Sequence, residues 1–384
     1  MSKTLFNKKP IWLTTLILLF LISACQLSTP TPTPTTTIPT LPPTVEIIPT
    51  NTVEVTDTPT TAPTATTEPS PTITNTPEPT IPSYLDDRST ATGLMDSFFN
   101  AINRAEYLRA YNYWRDPAAQ LGNFNDFAAG YDTTSNVEVT YGQIGGDAGA
   151  GQMYYSVPLI LTVTNTDSSI QYYSACYILR LSQPAVQATP PFKPLGIERA
   201  IAVTLSSDAD LPNVLETACT AYDFPVGAPL PTNPVTNHEV YTADNYLDER
   251  SEPILVIRSF YNALNRHEFL RAYSYWKNPV ETIGSYSDFL LSHQNIDSVE
   301  FVSGETTVDA GAGQRYYQVP VAVRLTQTGG SIQTLQGCYT LHLSLPGIQA
   351  TPPFEPIGIR ERNLTAADNT TSLMDILNTV SCGF

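Results

Sequence analysis

A long segment occurs twice in this chain, and that repetition constrains the fold more than any other feature. "YLDDRSTATGLMDSFFNAINRAEYLRAYNYW" begins at Tyr84, and "YLDERSEPILVIRSFYNALNRHEFLRAYSYW" begins at Tyr246, 162 residues later. Trp114 and Trp276 keep this offset, as do Cys176 and Cys338, the "ATPPF" at Ala188 and Ala350, and the "DAGAGQ" at Asp147 and Asp309. An offset held over so long a stretch means two tandem copies of one domain rather than a short-period solenoid. The proline-rich run Tyr222–Asn237 reads as a connector. The chain therefore divides into a first repeat over 84–221, a linker over 222–245 and a second repeat over 246–384. That length suffices for two ordinary domains.

What precedes the repeats is of another kind. Lys3, Lys8 and Lys9 form a positive start, and Ile11–Leu21 is an apolar stretch too short for a comfortable membrane span. "LISAC" follows, ending at Cys25. This resembles a bacterial lipoprotein signal, which implies removal of residues 1–24 and acylation of Cys25 as the anchor to a membrane. An ordinary secretory signal with an incidental cysteine is the alternative, and either one sends the rest of the chain out of the cytoplasm. Residues 25–83 are this cysteine followed by Thr/Pro-rich sequence, which buries too little apolar surface to offset its ordering entropy. Its proline density predicts an extended, disordered stalk reaching on the order of 150 Å.

Charge and cysteine usage narrow the partners. The net charge is −17 with no Lys/Arg cluster, so nucleic acid is not an expected partner. After Cys25 each repeat holds two cysteines, Cys176 with Cys219 and Cys338 with Cys382. In an exported chain this reads as one disulfide per repeat. Metal binding is the competing reading. It is opposed by the lack of any histidine in the first repeat, where two cysteines cannot complete a zinc site.

Each repeat begins with helical periodicity: Leu94, Phe98, Ala101 and Ile102 share a face, and so do Ile254, Ile257, Tyr261 and Leu264. "NRAE" (Asn103–Glu106) and "NRHE" (Asn265–Glu268) have the form of capping boxes that start a second helix. "NFND" at Asn123 and "SYSD" at Ser285 repeat the pattern before a short third helix carrying Phe127 or Phe289. The period then changes to two. Tyr155, Val157, Leu159, Leu161 and Val163 point inward from one strand, as do Tyr317, Val319, Val321, Val323 and Leu325. Pro158 and Pro320 inside these strands suggest an edge or a bulge. In the next strand Tyr177, Leu179 and Leu181, or Tyr339, Leu341 and Leu343, point inward. Cys176 and Cys338 take the opposite face, where they can staple the C-terminal segment, and a final strand follows "ATPPF".

Helices first and antiparallel strands after them give an α+β fold class. Taken with "FYNALNRHEFLRAYSYW" and the short Phe-bearing helix, this order resembles the nuclear transport factor two-like superfamily. The resemblance implies two tandem cone-like domains, each with N-terminal helices packed in a curved antiparallel sheet. It also implies that the cone interior is the place for a ligand or an active site.

The glycine-rich "DAGAGQ" does not hold phosphate. Gly146 and Gly151 have the spacing of a P-loop, but Gln152 and Met153 stand where Lys and Ser/Thr are required, and the second copy has Val308 in place of Gly146. A hairpin whose glycines supply φ > 0 is the plainer reading. His267, His293 and His342 each face a non-histidine in the first repeat, while His238 lies in the linker, which leaves no histidine mechanism common to both copies. Asp126, Asp288, Glu106 and Glu268 sit in helix-start patterns, and Arg104, Arg109, Arg266 and Arg271 read as solvated or paired with acids. No residue pattern calls for a cofactor or a metal. The candidate ligand-binding set is aromatic, Tyr113, Trp114, Tyr155, Tyr275, Trp276 and Tyr317, with Asn100 and Asn262. Such a set suits sugars or small amphipathic ligands, though Trp and Tyr at these spacings also serve as plain core. The functional expectation is a non-catalytic, lipid-anchored protein of the bacterial envelope that binds a small ligand, a glycan such as a cell-wall polymer, or an envelope protein. The alternatives are an isomerase-, dehydratase- or hydrolase-type enzyme with an acid/base site inside one or both cones, and a pure spacer.

Overall fold

The structure is a computed structural model that describes residues 81–206, 208–220 and 245–384, with the backbone of Ala228–Pro229. The expectations for the signal peptide, for Cys25, for nearly all of the stalk and for most of the linker lie outside the described residues.

The first repeat runs α1 (Ala91–Asn103), α2 (Tyr107–Tyr111), α3 (Pro117–Leu121), α4 (Phe124–Ala129), β1 (Thr134–Tyr141), β2 (Gly145–Gly149), β3 (Gln152–Asn165), β4 (Ile170–Ser182), β5 (Gly196–Thr204) and α5 (Leu211–Thr217). A two-residue β6 (Ala228–Pro229) lies beside β2. The second repeat runs α6 (Pro253–Asn265), α7 (Phe269–Tyr273), α8 (Pro279–Ile283), α9 (Tyr286–His293), β7 (Ile296–Ser303), β8 (Thr307–Gly311), β9 (Gln314–Gln327), β10 (Ile332–Ser344), β11 (Gly358–Ala367) and α10 (Leu373–Leu377). The fold is α+β, with helices and two antiparallel sheets ordered β5-β4-β3-β2-β6 and β11-β10-β9-β7. β1 also pairs with β3, and β8 with β9.

The strand alternation read from the sequence is the alternation observed. Val157, Leu159 and Leu161 are buried with Tyr177, Leu179 and Leu181 in a core that includes Leu94 and Phe98 of α1. Val319, Val321 and Val323 do the same with Tyr339, Leu341 and Phe260. Burial of such side chains, roughly 1.5–3 kcal/mol each, is what holds a helix this short against a sheet. α3 and α8, and the C-terminal helices α5 and α10, were not legible in the periodicity, because five to seven residues are too few to display a helical period.

Pro158 lies not on the sheet edge but at a bulge-like step, where the chain advances four residues from Tyr141 to Gly145 against three from Leu159 to Ser156. β1 pairs with β3 up to Tyr141↔Leu159, and β2 takes over at Gly145↔Ser156. Gly142 N donates to Pro158 O across the gap between them at 2.8 Å, so the missing proline N–H falls where one neighbour ends and the next begins. A Cβ on Gly142 would sit 3.0 Å from the proline ring and 3.1 Å from Leu215 O, so a larger residue there fits only if these neighbours give by a few tenths of an ångström.

The repeated "DAGAGQ" is a two-residue hairpin turn between β2 and β3. Gly149 pairs with Gln152, and the turn residues Ala150 and Gly151 have φ of 49° and 74°. Both central residues at positive φ define the turn whose twist matches its strands. Ala312 and Gly313 repeat it at 50° and 75°.

Disulfides join Cys176 to Cys219 and Cys338 to Cys382. Cys176 and Cys219 cluster with Ile178 apart from the main core, on the opposite side of the β3–β4 pair from Leu159 and Leu179. The bridge thus fastens the end of α5 to the back of the sheet.

The capping boxes expected at Asn103 and Asn265 do not form. Asn103 instead clamps β1: its Oδ1 accepts from Val137 N at 2.7 Å and its Nδ2 donates to Val137 O at 2.9 Å, while Asn265 does the same to Val299. Glu106 and Glu268 occupy the N-cap positions themselves, with no side-chain cap bond. An asparagine that matches both groups of a facing strand residue outcompetes a local cap. The looser pattern does form, with Asn123 accepting from Asp126 N and Ser285 from Asp288 N.

Candidate functional site

The two copies of "YLDxRS" lie against each other. Arg88 N donates to Asp248 O and Arg250 N to Asp86 O, both at 2.7 Å, around an Asp87↔Glu249 bridge. Asp86 N donates to Ser251 Oγ and Asp248 N to Ser89 Oγ, both at 2.8 Å. Each of these bonds has its mirror, so the junction is a local pseudo-two-fold.

Each segment is fastened to its own repeat by a buried arginine. Arg109, 1 % exposed, donates to Glu106 Oε2 at 2.7 Å, Leu85 O at 2.5 Å, Tyr113 Oη at 3.1 Å and Asn100 Oδ1 at 2.8 Å. Arg271 repeats this with Glu268 at 2.6 Å, Asn262 at 2.8 Å, Tyr275 at 3.3 Å and Leu247 O. Burial pulls the Arg109 pKa down, but the facing Tyr113, Tyr84, Glu106 and Asp86 outweigh it and hold the group above its ordinary value. Tyr113 and Tyr275 in turn donate to Asp86 and Asp248 at 2.9 Å. Burial first, then the aspartate, pushes both phenols up. Of the arginines read from sequence as solvated or acid-paired, Arg109 and Arg271 are acid-paired in the interior, and Arg104 and Arg266 pair with the same Glu106 and Glu268 from partly exposed positions; charge type alone could not place them.

Above this junction both repeats line a cavity of about 630 Å³. Arg88 and Arg250 lie in its wall, each stacked 4.4 Å from the ring centre of Tyr113 or Tyr275. Trp114 and Trp276 border it from the ends of the second helices. Phe192 and Phe354 border it from the two "ATPPF" loops, buried at their roots while the neighbouring prolines stand exposed. Each loop contains a cis peptide, Pro190–Pro191 and Pro352–Pro353, and is closed by a glutamine: Gln187 bonds Lys193 N at 2.8 Å, and Gln349 bonds Glu355 N at 2.8 Å. Six prolines, six aromatic rings and the cations Arg88, Arg115, Lys193 and Arg250 face the space, with no carboxylate in its lining.

Of the aromatic set named from sequence, Tyr113, Trp114 and Trp276 meet at this groove. Tyr275 lies beneath Arg250, and Asn100 and Asn262 lie behind it, spent on Arg109 and Arg271. Tyr155 and Tyr317 pack part-buried against their own cores and do not reach the groove. Sequence reasoning missed Arg88, Arg250, Phe192, Lys193 and Phe354. The signal was present in two faithfully repeated segments, "YLDxRS" and "ATPPFxP", which served only to mark the offset.

The second repeat has a further recess at one end of its sheet. A cavity of about 300 Å³ is bordered by His293, Gln333 and Arg362, and behind it lies a void of about 30 Å³ bordered by Tyr261 and Tyr339. Tyr261 Oη and Tyr339 Oη are 2.8 Å apart, and burial pulls the His293 pKa below its ordinary value. At the equivalent positions the first repeat has Phe99, Tyr131, Tyr177 and Ala200, so the recess belongs to one copy. Among the described residues no helix is long and apolar enough to cross a membrane. Comparison with protein-family models, with curated proteins and with solved structures returns no match for this chain.

Proposed function

We propose that this chain is a lipid-anchored, extracytoplasmic binding protein. Its two repeats, each a cone-like domain of the nuclear transport factor two-like kind, act as one unit that holds its ligand in the groove between them. The observation that carries the reading is the pseudo-symmetric groove of about 630 Å³, within the size range of small-ligand sites. A spacer would have no need of two anchored Phe-Pro loops facing each other across a ring of cations. The one-disulfide-per-repeat pattern supports export. The lining offers no carboxylate or histidine as a general base, and the Tyr113 phenol is held protonated, which supports binding over catalysis.

Native mass spectrometry of the exported full chain, beside a Phe354→Arg variant that fills the groove, tests this. A bound mass lost in the variant supports the reading; a bound mass retained by the variant overturns it. Lipid attachment is tested separately by labelling with a fatty-acid analogue, which Cys25→Ser should abolish.

The His293–Arg362 recess favours a second reading, an acid/base enzyme using the second repeat alone. Its test is a ligand or activity lost in Arg362→Ala and unaffected by Phe354→Arg.

A further inference from the structure

We infer that the groove between the repeats takes an extended, proline-rich, acidic peptide segment, bound in one direction. The inference rests on the groove being the binding site and names the ligand class that its chemistry selects.

Three features of the wall decide the class. Its backbone is poor in donors, because Pro190, Pro191, Pro194, Pro279, Pro353 and Pro356 have no N–H. A peptide that needs a strand partner gains nothing there, whereas a polyproline II segment has no ladder to satisfy and docks on aromatic and proline faces. The hydroxyls in the lining are already committed: Tyr113 to Asp86, Tyr273 to Gly284 O at 2.7 Å and Ser274 to Arg271 O at 2.7 Å. With no carboxylate in the lining either, the wall has few side-chain acceptors for the many hydroxyl protons of a glycan. Its charged groups are cations only; Arg88, Arg115 and Arg250 are paired outside the lining with Asp86, Glu198 and Asp248 at 3.8, 3.4 and 3.5 Å, and Lys193 stands exposed, which matches a glutamate or aspartate set between prolines.

Direction follows from the one place where the loops differ in charge. Lys193 stands exposed after Phe192, while the equivalent position after Phe354 is Glu355, paired with Lys277 at 3.1 Å. A groove symmetric in its rings and asymmetric in this charge places the acidic end of the segment at the first repeat's loop.

The experiment uses the full chain in detergent and reads tryptophan emission, since Trp114 and Trp276 border the groove and Trp12 is the one other indole. The probe is an acetylated nonapeptide of proline, threonine and two glutamates. The controls are the same peptide with lysine for glutamate, the same with glycine for proline, and a neutral cell-wall oligosaccharide. Saturable binding of the acidic proline peptide, with Kd at or below about 0.5 mM, is expected. Lys193→Glu, a charge the same loop carries in the second repeat, should weaken it about fivefold and shift preference to the lysine peptide. Equal binding of the glycine peptide, no effect of Lys193→Glu, or no binding of the acidic peptide overturns the inference. An oligosaccharide that binds instead, and is lost in Phe354→Arg, overturns the ligand class and leaves the groove as the binding site.

Discussion

Asp87 and Glu249 face each other as an antiparallel bridge pair at the junction of the two repeats, with the backbone bonds lying on either side of them. In that type of pair the side chains are closest, and two like charges directly opposite oppose the contact. Burial and then the Asp87 charge push the Glu249 carboxyl up to about 7, and burial raises Asp87 as well.

The sign of the pH dependence follows. Between the unfolded glutamate value of about 4.5 and the folded value of about 7 the folded chain binds more protons, so stability falls as pH rises through that window. Glu249→Gln should stabilise the chain at pH 8 by on the order of 1–2 kcal/mol after solvent screening and leave it nearly unchanged at pH 4. Urea unfolding at a series of pH values measures it. A wild-type stability that rises between pH 5 and 8, with no gain in the variant, would contradict this assignment.

The buried arginines hold the junction segments to their repeats. Arg271→Met leaves Glu268, 7 % exposed, with only the partly exposed Arg266 as its cation, removes the buried donor to Asn262 and Leu247 O, and should cost about 3 kcal/mol. The double variant Arg271→Met, Glu268→Leu should recover part of that loss, because it removes the buried carboxylate left short of a cation, while Arg266, which also pairs with Glu268, is partly exposed. Denaturant midpoints of the single and double variants check both statements.

The hairpin turns carry alanine where the backbone is left-handed, at φ of 50° for Ala312. An alanine held there costs roughly 1–2 kcal/mol, which asparagine largely avoids. Ala312→Asn should raise stability by about 0.5–1 kcal/mol, read as an upward shift in the thermal midpoint.

Each disulfide closes a loop of 43 or 44 residues. Reduction should lower the stability of each repeat by about 4 kcal/mol in the chain-entropy model. Unfolding with and without reductant, and of a Cys338→Ala, Cys382→Ala variant in which only the second repeat is released, separates the two contributions.

The sequence by itself determined what local and periodic signals can carry. The offset of 162 residues declared two copies, the period-two strands assigned their inward faces, and cysteine spacing in two copies paired Cys176 with Cys219 and Cys338 with Cys382. The tertiary structure decided which side chains meet and what each one is spent on. Asn103 turned from a helix cap into a clamp on β1 because a strand 34 residues away presents both a donor and an acceptor. Arg109 became the centre of the interior because Glu106, Asn100 and Tyr113 converge on it from two helices. The groove itself exists in neither repeat alone. It forms where two "YLDxRS" segments cross and bring two "ATPPF" loops face to face, a juxtaposition that no pattern within one copy encodes.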